Sequence, residues 1–128
     1  MQKTIQYWTD GAQRAQEIME ALIEKEKFPE ALFFGHLVLE KILKALVTSI
    51  TKEHAPHSHN LSKLALLAKR ELSEDDALFL EKATEFNLEG RYPEDVERLR
   101  KEYTKDFAID TQKRIHKLYQ LWLQEIQQ

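Results

Sequence analysis

The sequence predicts an all-α fold: an up-and-down bundle of four to five helices forming one domain over residues 1–128. Three observations carry this reading. Glycine and proline number only three each in a chain that is 32% charged, a composition that favours long helices over turn-rich sheets. Apolar residues recur at alternating steps of three and four, which places them on helical faces. One long segment, PEALFFGHLVLEKILKALVTSI, is apolar in nearly every direction and so needs partners all round it. A chain of 128 residues buries roughly two-thirds of the surface its unfolded form exposes, so the fold needs no cross-link. Without cysteine, the chain has no disulfide framework, thiol nucleophile or Cys-based zinc site.

The first helix is predicted over residues 4–26, with Ile5, Trp8, Ala12, Ala15, Met19 and Leu22 on its inner face. Lys25 and Lys27 suit the negative pole at its end. Pro29 breaks the chain and fits the first turn of the next helix, which runs to about Lys52. This second helix is the predicted centre of the fold, and part of its surface is a candidate for contact with a second copy. A loop around Pro56 follows, and Asn60 is placed to cap a short third helix from Leu61 to about Glu71. Ser73 opens a fourth helix, with Asp76 three residues on. Gly90 is the expected left-handed terminator of that helix. Pro93 forces a turn in RYPED, and Asp95–Tyr103 is either a short helix or an ordered loop. Thr104 caps the last long helix, where Ala108, Thr111, Ile115, Leu118 and Trp122 share a face.

Several function classes are disfavoured. The net charge of −3 shows no basic excess of the kind that general nucleic-acid affinity requires. Basic residues from Arg98 to Lys117 are interrupted by Glu97, Glu102, Asp106 and Asp110, which reads as a solvated charged face. No apolar run approaches the roughly 20 residues of a membrane span, and the N-terminus lacks the apolar core of a secretion signal, so the expected compartment is the cytoplasm. Glu-x-x-His is absent, as are a Gly-rich phosphate loop and a Gly-x-Ser-x-Gly elbow. His54, His57 and His59 lie close in sequence but lack an acidic or Cys ligand at matching spacing, so neither a metal nor another cofactor is expected.

The informative residues are polar ones on the apolar second helix. His36, Glu40 and Lys44 follow at intervals of four and line one side, with Lys41 displaced by one position. Ionisable groups there must pair, reach water or face a cavity. One reading is a solvated seam with an ordinary Glu40–Lys44 ion pair. The other is a polar pocket closed by Arg91 and Tyr92, in which Arg91 pairs with Glu40 or holds a phosphate-bearing ligand.

Residues 31–46, ALFFGHLVLEKILKAL, resemble the signature helix of HEPN domains, and SHNL at 58–61 and GRYPED at 90–95 occur in the expected order. The resemblance covers almost the whole chain. It implies a four- or five-helix bundle, commonly a homodimer, and a minimal nucleotidyltransferase as partner in a toxin–antitoxin pair. It also implies a nucleotide-binding role. His36, Glu40, Lys41, Lys44, His59, Arg91 and Tyr92 would line or border an inter-helix groove, with Pro93 shaping the turn. Many HEPN toxins are metal-independent ribonucleases whose motif is an Arg, four to six residues, then a His. No Arg in this sequence is followed by a His at that spacing, which argues against that activity by the standard route. A ribonuclease using Arg91 with His36 or His59, and a structural subunit without a ligand, are the two alternatives.

Overall fold

The three-four periodicity winds into six helices in the computed structural model, which describes residues 1–128: α1 (Gln2–Glu24), α2 (Phe28–Thr51), α3 (Leu61–Leu67), α4 (Glu74–Thr84), α5 (Pro93–Glu102) and α6 (Lys105–Gln127). The all-α bundle is as the sequence predicts. The sixth element arises because Asp95–Tyr103, open in sequence between a short helix and an ordered loop, falls almost wholly in a helix that starts at Pro93 and ends at Glu102. Pro93 occupies the first turn of α5, where its missing N–H costs nothing, and Glu94 and Asp95 sit at the positive pole. Three side-chain caps form as expected: Asn60 accepts from Lys63 N–H at 3.1 Å, Ser73 from Asp76 N–H at 3.0 Å and Thr104 from Phe107 N–H at 3.3 Å.

Two helices, α1 and α3, stop short of the sequence reading for a shared reason, while α2 ends where the sequence places it. Glu26, Lys52 and Lys69 adopt left-handed backbone (φ 59°, 62° and 55°) although none is glycine. At Glu26 the chain closes with Lys27 N–H to Leu22 C=O and Glu26 N–H to Ile23 C=O, so α1 stops at Glu24. The same pair of bonds, Arg70 to Ala65 and Lys69 to Leu66, stops α3 at Leu67. Gly90 is left-handed (φ 76°), but α4 has already ended at Thr84.

α2 touches each of the other five helices, and its buried side chains dominate a single core cluster of 26 residues. Against it lie α1, antiparallel across the Lys25–Lys27 turn, and α6. Gly35 marks where these three long helices converge. A Cβ there would fall 2.6 Å from Ile115 Cδ1 and 3.0 Å from Met19 Sδ, closer than packed carbons allow. Further along, Gly11 of α1 leaves room for Lys41, whose Cδ would lie 3.1 Å from a Cβ at that position. α3, α4 and the loop over residues 52–60 cover the opposite flank of α2, where His36 and Glu40 point.

Candidate functional site

On that flank the polar residues of α2 meet the loop before α3. Glu40, 5% exposed, is the hub. One carboxylate oxygen accepts from Lys44 Nζ at 3.2 Å, and the other from His59 Nδ1 at 2.7 Å. Because a carboxylate only accepts, His59 carries its proton on Nδ1. Its outer nitrogen, Nε2, stands 3.7 Å from Glu89, and the His59 side chain is 54% exposed. His36 is fully buried and reaches back to the loop, with Nε2 donating to the His59 carbonyl at 3.0 Å. That bond fixes the tautomer and leaves His36 Nδ1 a bare acceptor, buried without a partner. Lys44 is enclosed from the other side by Trp8 of α1, with Nζ 5.1 Å from the ring centroid, a cation–π arrangement.

The cluster therefore fastens the 52–60 loop to the core helix at two atoms of one residue, the imidazole and the carbonyl of His59. It carries one buried carboxylate and one buried ammonium, so it presents no surplus positive charge to an anion. Arg91 does not join it. The guanidinium donates to the carbonyls of Glu85 (3.0 Å) and Asn87 (3.3 Å), and the hydrogen bonds of Glu40 go to Lys44 and His59 instead. The expected Arg91–Glu40 pair is thus replaced by Glu40–His59. The physical reason is local: the turn after α4 exposes carbonyls that no helical N–H satisfies, and a guanidinium four to six residues downstream reaches them without crossing the molecule. Tyr92 is 72% exposed and turned to solvent. Lys41 lies over Gly11, toward α1 rather than the loop.

Of the seven groove residues expected from the sequence, His36, Glu40, Lys44 and His59 come together, whereas Lys41, Arg91 and Tyr92 lie apart from that knot. Two participants were missed. Trp8 falls on the inner stripe of α1 and reads as core, and Glu89 is one acid among many. Neither carries a sequence signal that would single it out. No group of three or more His, Asp or Glu side chains is gathered so as to hold a metal ion. No helix is long and apolar enough to cross a membrane.

Burial depresses the pKa of His36 below its usual 6.5, with the bond to the His59 carbonyl and the charge of Glu40 opposing the shift in part. The unfolded chain therefore binds this proton more readily than the folded one, and stability from neutral His36 is complete above pH 6.5. It is lost as pH falls from 6.5 through the lower folded value. Urea midpoints measured from pH 7.5 down to 5 are expected to fall more steeply for wild type than for His36→Phe. Equal slopes would show that His36 takes up its proton without cost.

No curated protein and no solved structure matches the sequence. The family model described as HEPN domain matches residues 5–126, from the first turn of α1 to the last turn of α6. That span takes in the whole His36–Glu40–Lys44–His59 cluster and every helix that positions it, and the chain belongs to the HEPN domain family.

Proposed function

We propose that this HEPN-domain chain is a binding and interaction module rather than a nuclease, acting in the cytoplasm as a homodimer beside a minimal nucleotidyltransferase in a toxin–antitoxin-type pair. The observation that supports the reading best is the commitment of the acid–base candidates. His36 is sealed in the core, His59 Nδ1 is held by Glu40, and Arg91 is engaged by two backbone carbonyls. With those groups so engaged, His36 cannot reach a phosphodiester and the Arg91 guanidinium is already bonded, whereas acid–base cleavage with charge stabilisation needs both roles filled at the reacting phosphate. A nucleotide or other anion would bind where Arg91, Tyr92 and the exposed edge of His59 border the inter-helix groove. The Glu40–Lys44 pair would form its floor, with His36 buried behind it and Lys41 turned away toward α1.

Calorimetry with ATP on wild type and Arg91→Ala tests the ligand. Binding that weakens in the variant supports the groove, and no binding by either protein leaves a structural subunit. For the pairing, co-expression with a nucleotidyltransferase encoded in the neighbouring reading frame is expected to yield a co-purifying complex. A neighbourhood without such a frame overturns the pairing.

One observation favours the ribonuclease reading: His59 is backed by a buried carboxylate and turns its free nitrogen outward. RNA incubated with the purified chain and excess chelator is expected to stay intact. Cleavage that disappears in His59→Gln would replace the binding reading with the nuclease one.

A further inference from the structure

We propose that the recess between the start of α1 and the 52–60 loop binds a planar aromatic ring carrying a single negative charge, the chemistry of an aromatic carboxylate. Neither Arg91 nor Tyr92 lines this recess, so it is separate from the groove they border.

Its walls come from two places. Lys3, Tyr7 and Trp8 project from the first two turns of α1, with Lys3 and Tyr7 four residues apart on one side. His54 and His57 stand opposite them on the loop. The space between is about 430 Å³, within the range of small-molecule sites. The loop wall is set before any ligand arrives. His59 is fastened to α2 at its imidazole and its carbonyl. Thr51 Oγ1 accepts from Glu53 N–H at 3.2 Å, and Ser58 Oγ accepts from Asn60 N–H at 3.2 Å. A wall fixed in advance spares a ligand the cost of ordering it.

The aromatic pair sets the shape that fits. Trp8 is partly exposed and Tyr7 is 61% exposed, with ring centroids 5.0 Å apart in an edge-to-face contact. Lys44, almost fully buried, holds its ammonium against Trp8 from the core side, 5.1 Å from the ring centroid. A flat ring laid against this pair gains stacking beyond the area it buries.

The charges narrow the ring to an anion. Four other recesses, of about 250–730 Å³, each carry at least one Asp or Glu in their walls. This one carries none, in a chain whose net charge is −3. Glu53 adjoins His54 in sequence but is not part of the walls, and Asp10, the first acid of α1, is engaged by Gln6 at 2.7 Å. Lys3 forms no ion pair within the chain, and neither imidazole has a hydrogen-bond partner. Lys3 is the one permanent cation of the recess, and the imidazoles add N–H donors. A single cation matches a carboxylate. A phosphate, with a charge of about −1.5 to −2, calls for more positive charge than these walls hold.

Proton NMR of the two indole N–H groups of the full chain, with naphthoate as the probe, tests the site. Naphthoate is expected to shift the Trp8 signal with a Kd on the order of 0.1–1 mM, and to leave the signal of Trp122, 2% exposed, in place. Naphthamide, flat but neutral, and decalin carboxylate, charged but not flat, are each expected to bind about tenfold more weakly. Lys3→Glu, at an exposed and unpaired position, is expected to weaken naphthoate about tenfold, and Tyr7→Ala about threefold. Lys117→Glu makes the same change of charge at an exposed position of α6 and is expected to leave the Kd unchanged. All three variants alter exposed side chains, and circular dichroism checks that each is folded. No Trp8 shift at about 10 mM naphthoate overturns the site, since that is roughly tenfold above the weakest Kd expected. Naphthamide or decalin carboxylate binding as tightly as naphthoate overturns it as well, because charge or ring would then not be recognised. Equal losses in Lys3→Glu and Lys117→Glu would mean attraction to the chain at large, and overturn the recess as its place.

Discussion

Glu40→Ala is expected to destabilise the chain by about 3 kcal/mol, within the range for removing one member of a buried ion pair. The carboxylate is 5% exposed and so is Lys44, its partner at 3.2 Å. Without Glu40 the ammonium keeps its burial and loses its counter-charge, and the Trp8 ring at 5.1 Å is left as its remaining compensation. His59 loses the bond to Nδ1 at the same time, so of its two bonds to α2 only the one from His36 to its carbonyl remains. The intact pair is not a large net source of stability, since both ions were desolvated to form it. Its consequence is that the two partners must be removed together. Glu40→Leu/Lys44→Met is therefore expected to be more stable than Glu40→Ala in urea titration, despite carrying two changes. A loss under about 1 kcal/mol for Glu40→Ala, or a double variant no better than the single, would mean that water reaches Lys44 and that the hub is solvated.

The same cluster shows what a sequence can and cannot disclose about such a site. His36, Glu40 and Lys44 were legible because spacing of four on an apolar helix fixes a shared side whatever the fold does elsewhere. Their partner was not legible. Arg91 and His59 were both available, and the choice depended on where Arg91 found acceptors nearer home, on the carbonyls of Glu85 and Asn87. Helix starts were likewise readable from Asn60, Ser73 and Thr104, whose side chains cap in one way. The ends before Glu26 and Lys69 were hidden, because a left-handed residue without glycine leaves no mark in the sequence. Gly90 misled for the converse reason: its left-handed backbone serves the turn ahead of Arg91 rather than the end of α4.

Gly35→Ala reverses the usual effect of that substitution in a helix, and is expected to cost about 2 kcal/mol, as overpacking of a filled core does. By propensity alone alanine should gain about 1 kcal/mol over glycine in mid-helix. Here the added methyl would stand 2.6 Å from Ile115 Cδ1 and 3.0 Å from Met19 Sδ, at the convergence of α1, α2 and α6. Ile115 and Met19 are both fully buried, so neither can swing into solvent. The severer of the two contacts is with a single terminal methyl, Ile115 Cδ1, which makes most of the cost specific. Ile115→Val deletes Cδ1 and on its own should cost about 1 kcal/mol, the usual loss for removing one buried methyl. In Gly35→Ala/Ile115→Val the new methyl takes the vacated space, so the double variant is expected to be more stable than Gly35→Ala alone. A double-mutant cycle in urea should then give a coupling of roughly 1–2 kcal/mol in the favourable direction, as contacting residues do. Additive losses would mean that the helices move apart to admit the methyl, and the close approach of α2 to α6 at this glycine would then not be what holds the three long helices in register.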